Sequence, residues 1–168
     1  SHPKETESSE GRGEGFELRT DQWGAVRAGQ GLLITTCSQD TAAGNHLYAK
    51  PAKNQMESNL NNTKILSEMA EAQQTDPLEV FFSLKQFLNQ LETEDANKAT
   101  AFKQAVMLLT APHSIALSTN ENIHLSADQQ INYSAGGNIH LSTQQSLIAH
   151  AQHKISLFAA QNGARLYA

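Results

Sequence analysis

Apolar and polar residues alternate along this chain with three successive periods, and each period predicts a different kind of element. Residues 1–15, SHPKETESSEGRGEG, have no apolar pattern and read as a flexible linker or tether. Residues 16–51 predict a small β segment. GFELR alternates, with Phe16 and Leu18 on one side and Glu17 and Arg19 on the other. TDQWG is a turn candidate, and GLLITT predicts a short apolar strand. A polar loop over 37–51 then ends at Pro51. From 52 to 111 the period lengthens to three or four residues. Met56, Leu60, Leu66, Met69 and Ala70 outline a first helix. Asp76 as N-cap, Pro77 at the first helical position and Glu79 as capping-box partner predict the start of a second. Leu78, Phe81, Phe82, Leu84, Leu88 and Leu91 form its apolar stripe. Ala99, Phe102, Val106 and Leu109 predict a third helix, ended by Pro112. The region is therefore expected to be a helical hairpin or three-helix collar.

From residue 114 the period changes again, to eight. Cut into octads the chain reads SIALSTNE, NIHLSADQ, QINYSAGG, NIHLSTQQ, SLIAHAQH, KISLFAAQ and then NGARLYA. Position two holds Ile115, Ile123, Ile131, Ile139, Leu147 and Ile155. Position four holds Leu117, Leu125, Tyr133, Leu141, Ala149 and Leu157. Positions two and four share one face of a strand and position three lies on the other. Each octad is thus a short strand followed by a polar corner, with an apolar face two residues wide. Gly-Gly occurs once, at Gly136–Gly137, and no run of hairpin turns is present. Two architectures fit. A single-chain β-helix with three octads per coil would have about two coils and exposed ends. A three-chain prism, in which each chain supplies one strand per layer and then moves to the next face, fills every layer. The favoured fold class is mostly β with a helical insertion: an intertwined trimeric β-helix or β-prism over 112–168. Its trimer core would be Ile115, Leu117, Ile123, Leu125, Ile131, Tyr133, Ile139, Leu141, Leu147, Ile155 and Leu157.

Composition sharpens this picture. Charged residues make up only 17% of the 168, while Ser, Thr, Asn and Gln together number 53. A threefold stack repeats every exposed charge around the axis, so uncharged polar residues suit its outside. Residues 112–168 carry only Glu121, Asp128, Lys154 and Arg165, and the net charge of −5 comes entirely from the rest. That charge provides no basic field for nucleic acid. No apolar run reaches the roughly 18 residues of a membrane span, so no stable membrane anchor is expected. The single Cys37 excludes an internal disulfide and a multi-Cys zinc site. Without an initiator Met, the chain is expected to be a piece of a longer polypeptide.

Candidate chemistry is sparse. His124 and His140 occupy outward positions on different faces of the prism, and His150 and His153 point to opposite sides of a strand. His2, His46 and His113 have no evident partner, so no metal site is expected. No G-x-S-x-G, H-E-x-x-H or P-loop occurs, and neither a catalytic residue nor a cofactor is assigned. Trp23 is expected to anchor a turn against the β segment. Phe81, Phe82 and Phe87 cover more than one helix face, which makes them candidates for contact with a neighbouring protomer or a cargo protein.

The run DQWGAVRAGQGLLITT, followed by a helical stretch and octads that begin after Pro112, resembles the C-terminal domain of VgrG, the trimeric spike protein of bacterial type VI secretion. Asp21, Trp23, Gly24, Arg27, Ala28, Gly29, Gly31, Leu32, Ile34, Thr35 and Thr36 carry the resemblance. It implies a homotrimeric puncturing shaft that caps an expelled tube. The implied partners are an effector or adaptor protein and the tube and tip proteins of the apparatus. It also implies residence in the bacterial cytoplasm before firing and delivery into a target cell afterwards. The octads alone would equally suit a phage-like tail-spike segment that binds or degrades polysaccharide, although Glu121 and Asp128 are the only acids in the repeat. A plain monomeric binding module is the third possibility.

Overall fold

The structure, a computed structural model, describes residues 14–39, 46–91 and 102–168. Most of the expected tether and Ala99 of the expected third helix lie outside these residues. The element order is β1 (Leu32–Thr35), α1 (Lys50–Ala72), α2 (Phe81–Asn89) and β2 (Met107–Thr110). β1 and β2 form a two-stranded parallel sheet, in register from Leu32 opposite Met107 to Thr35 opposite Thr110. Parallel neighbours require a crossover, and the helical hairpin lies within it. The hairpin is an insertion that leaves a small sheet and returns to it.

The GLLITT strand forms as expected, but residues 14–31 form no strand. Phe16 and Leu18 are exposed, and Trp23 is 93% exposed, so it does not anchor a turn. α1 begins at Lys50, with Pro51 in its first turn, where the missing N–H costs nothing. Pro51 therefore opens the helix instead of closing the loop. α2 begins at Phe81 behind Val80, with no side-chain cap. Asp76 does not cap it, because the carboxylate pairs instead with Lys154, far away in the chain. The expected third helix is replaced at its C-terminal end by β2. Val106 accepts a hydrogen bond from the Leu32 N–H at 2.9 Å, and Leu109 stands in the strand. The three-to-four spacing there fits a helix, yet the backbone groups pair with β1, about seventy residues earlier in the chain.

The core gathers where α1, α2 and the sheet meet. Ala49, Ala52, Leu60, Leu88, Leu91, Phe102 and Leu108 are buried, with Leu33, Met56, Phe81, Leu84 and Phe87 packed around them. Gly31 sits at φ +128°, a region L side chains rarely adopt. A Cβ there would lie 2.5 Å from the Phe102 ring and 3.1 Å from the Val106 carbonyl oxygen. This glycine lets Phe102 close the core at the point where β1 leaves the preceding turn.

Beyond β2 the chain is extended and exposed. Bends recur at 112–113, 120–121, 128–129, 136–137, 144–145, 152–153 and 160–162. After the bend that precedes the first octad, they fall at positions seven and eight of each octad, the last running one residue further, so the eight-residue register is a physical feature of the backbone.

Candidate assembly interface

Six octads present extended backbone and no strand pairing of their own. Among the described residues, no backbone hydrogen bond joins one octad to another. The eleven residues expected in a shared core are all open to solvent in the single chain, from 48% for Ile131 to 87% for Leu157. Such a ladder of unpaired N–H and C=O groups beside aliphatic side chains is a surface prepared for other strands.

The helical hairpin rests on this segment in a regular manner. Ser83 Oγ donates to Gln130 Oε1 at 3.1 Å, and Lys154 Nζ pairs with Asp76 Oδ1. Gln130 and Lys154 both occupy position one of their octads, the third and the sixth, 24 residues apart. Near the N-terminus of α1, Pro51, Ala52 and Gln55 share a cleft with Ile115 of the first octad, and further along the hairpin two more contacts fall on the third and sixth octads. A Cβ at Gly136 would meet Asn59 Oδ1 at 3.7 Å, and Ser156 and Phe158 line a cleft with Leu66, Ala70 and Leu78. The five residues of the third and sixth octads involved occupy odd positions, opposite in parity to the aliphatic positions two and four. These hairpin contacts thus lie opposite in parity to the aliphatic positions, and the position-one contact at Gln130 is repeated at Lys154 three octads later.

Lengths agree with this arrangement. From Asn59 to Ala70, α1 rises about 16 Å. Three strand spacings, from the third octad to the sixth, measure about 14 Å. The two lengths match to within about 2 Å. Electrostatics favour the same contact, since the Lys154 ammonium, assisted by a hydrogen bond from Ser156, holds the Asp76 carboxyl below its ordinary value. One of the four charges in the repeat is thereby used to seat the hairpin, a contact invisible in the local pattern.

The three phenylalanines separate. Phe81 and Phe87 are partly buried against the chain's own core, and Lys64 Nζ stands 5.5 Å from the Phe81 ring centroid. Both rings thus spend part of their surface on the chain's own core. Phe82, edge-on to Phe81 at 5.8 Å, is 76% exposed and remains available. Within the DQWGAVRAG motif, Arg19 pairs with Asp21 at 3.5 Å. Arg27, Gly29 and Gly31 flank an open cleft of about 320 Å³ beside Val106 and Met107. Among the described residues, no cluster of three or more His, Cys, Asp or Glu side chains could hold a metal ion. No helix there is long and apolar enough to cross a membrane.

Comparison with known proteins agrees with this geometry. Residues 1–70 match the family "Putative type VI secretion system Rhs element Vgr", and residues 94–168 match "Uncharacterized protein conserved in bacteria (DUF2345)". The chain is 31% identical over 163 residues to the type VI secretion system spike protein VgrG2b of Pseudomonas aeruginosa, covering 94% of this chain and 16% of that protein. It is 56% identical over 46 residues to VgrG2a of the same organism, covering 27% of this chain and 5% of that protein. The chain thus spans about a sixth or less of the curated relatives it matches. Among solved structures, the VgrG spike from the type VI secretion system superimposes with a TM-score of 0.80 at 27% identity, over 94% of this chain and 56% of that one. A VgrG spike bound to the Tle1 effector does so with a TM-score of 0.79 at 27% identity, over 94% of this chain and 46% of that one. The alignments to VgrG2b and to the solved VgrG spikes run over 94% of the chain, and together with the two family matches they identify it as a domain of a VgrG spike protein.

Proposed function

We propose that three copies of this chain wind their octads into a β-prism, the shaft of a puncturing spike, and that the helical hairpins form a docking platform around it. The observation that carries this reading is the 24-residue return of the hairpin contacts, from Gln130 to Lys154. A chain that advances one face of a triangular shaft per octad regains its starting face after three octads. Two further copies would supply strands for the intervening layers, pair the free backbone ladder and enclose the aliphatic positions along the axis. Rigidity then follows from a closed cross-section with no lateral edge and from a backbone hydrogen-bond network along the direction of thrust.

The role is mechanical and connective, with no bond-making chemistry assigned to this segment; relatives described as spike proteins support this. In this reading residues 1–15 tether the segment. The sheet, its loops and the hairpin over 16–111 form a collar, and 112–168 form the shaft. Tube and tip proteins would lie at the shaft's ends, and an effector or adaptor would sit on the collar, as the related spike bound to Tle1 supports. Exposed Phe82 is the apolar contact this chain offers to such a cargo. The protein would assemble in the bacterial cytoplasm and leave it on firing.

Size-exclusion chromatography with light scattering tests the assembly. The expected mass is three times that of the chain, at micromolar concentration and in dilute salt. A stable mass of one chain, 18.3 kDa for these 168 residues, would overturn the prism.

A further inference from the structure

The face of the repeat beneath the hairpin holds this chain's third and sixth octads and leaves two layers between them. Resting on the trimer proposed above, those layers belong to the fourth octad of one neighbour and the fifth octad of the other. The fifth octad is unusual. At the central outward position the six octads carry Ala116, His124, Asn132, His140, Ile148 and Ser156. Ile148 is the one large aliphatic residue among them, and it is 75% exposed. An isoleucine facing outward from a shaft built to be polar outside requires a cover.

The cover is on the hairpin. Leu66 of α1 and Leu78 of the α1–α2 connection are both exposed in the single chain. With Ala70, Pro77 and Phe158 they line a cleft of about 250 Å³ over the sixth octad. Ser156 lines this cleft from position three of its octad. The strand that adds to the sixth octad on the side of the third is a neighbour's fifth octad, and its position three lies beside Ser156. That residue is Ile148. Its own chain cannot supply it to this cleft, because one octad before the sixth the chain runs on a different face of the triangle.

We infer that each hairpin is a clasp between protomers: the Leu66–Leu78–Phe158 cleft of one chain receives Ile148 of a second copy. The hairpin thereby holds its own chain at Gln130 and Lys154 and a neighbour between those points. The collar locks the winding of the shaft, and opening the hairpin would release two chains together.

Cross-linking in the full chain tests this. In a Cys37→Ser background, Leu78→Cys is combined with Ile148→Cys, and the protein is treated with a short bismaleimide. A covalent trimer on a denaturing gel is expected, with an Asp76→Cys, Lys154→Cys pair giving only cross-linked single chains. If light scattering gives a trimer while the first pair yields no interchain product, the clasp is wrong and the prism stands. If the particle has the mass of one chain, both fail. If the cysteine pair disturbs assembly, Ile148→Ser serves instead: amides of Leu66 and Ala70 should exchange faster than in the unsubstituted trimer, and unchanged exchange would overturn the clasp.

Discussion

Ile131 lies in the middle of the repeat and offers the most direct test of the shared core. In the single chain it is 48% exposed, so about half of its side chain still has apolar area to lose to water-free packing. Full burial of an isoleucine contributes about 1.5–3 kcal/mol, so completing it contributes about 1 kcal/mol per chain, or about 3 kcal/mol per trimer. Ile131→Asp removes that gain and brings three carboxylates together at the axis. Each buried, unpaired charge costs several kcal/mol, giving a penalty on the order of 10 kcal/mol per trimer. That matches the entire stability of an ordinary domain, about 5–15 kcal/mol. The axial carboxyls would have pKa values raised by burial and by one another. A raised acid pKa means that the stable form is the protonated one: stability is present below the unfolded value and lost as pH rises through the folded value. The variant should therefore be a single chain in light scattering at pH 7 and recover trimer near pH 4. Ile131→Val should remain trimeric, with a loss of about 1 kcal/mol per chain. A heat-stable Ile131→Asp trimer at pH 7 would refute the axial placement of position two.

Other predictions address the collar. Gly31→Ala should lower the melting temperature, since its Cβ would meet the Phe102 ring at 2.5 Å in a positive-φ backbone; an unchanged melt would contradict the packing of the sheet. Leu91→Ala, at a fully buried site, should cost about 2–5 kcal/mol in denaturant titration. Phe82→Ala should leave stability and mass unchanged and lower effector retention in a pull-down; a large loss of stability would mean that Phe82 belongs to the core. The Asp76 carboxyl is held low by Lys154. Its contribution is present above the ordinary carboxylate range and lost as pH falls through the lowered value. Thermal melts between pH 3 and pH 7 should therefore decline more steeply on acidification in the parent than in Lys154→Ala, and parallel declines would exclude a role for the pair.

The two halves of the chain differ sharply in how much of their structure is encoded locally. In 112–168 the determining signal is local and repeated. Alternation of period two within each octad and a corner every eight residues are both encoded by near neighbours, and the bends fall where the register places them. Leu32–Thr35 was similarly legible as a short apolar run between turn residues. In the collar, partners distant in sequence made the choice. Residues 107–110 have spacing suited to a helix, and they became a strand because β1 offered an open edge. Asp76 sits where a cap would sit, and Lys154, 78 residues later, took its carboxylate. Phe81, Phe82 and Phe87 are identical in type, and only packing distinguished the two held in the core from the one left outside.

The sequence by itself thus determined the octad register, the helical content of 52–91 and the family. Each of these rests on a pattern confined to a few neighbouring residues, or on a motif whose residues stand side by side. The tertiary structure alone decided which octad residues the hairpin touches, that its contacts at Gln130 and Lys154 lie 24 residues apart, and which apolar side chains remain exposed. Those outcomes depend on backbone pairing and on contacts between segments up to 78 residues apart, where no local periodicity carries information.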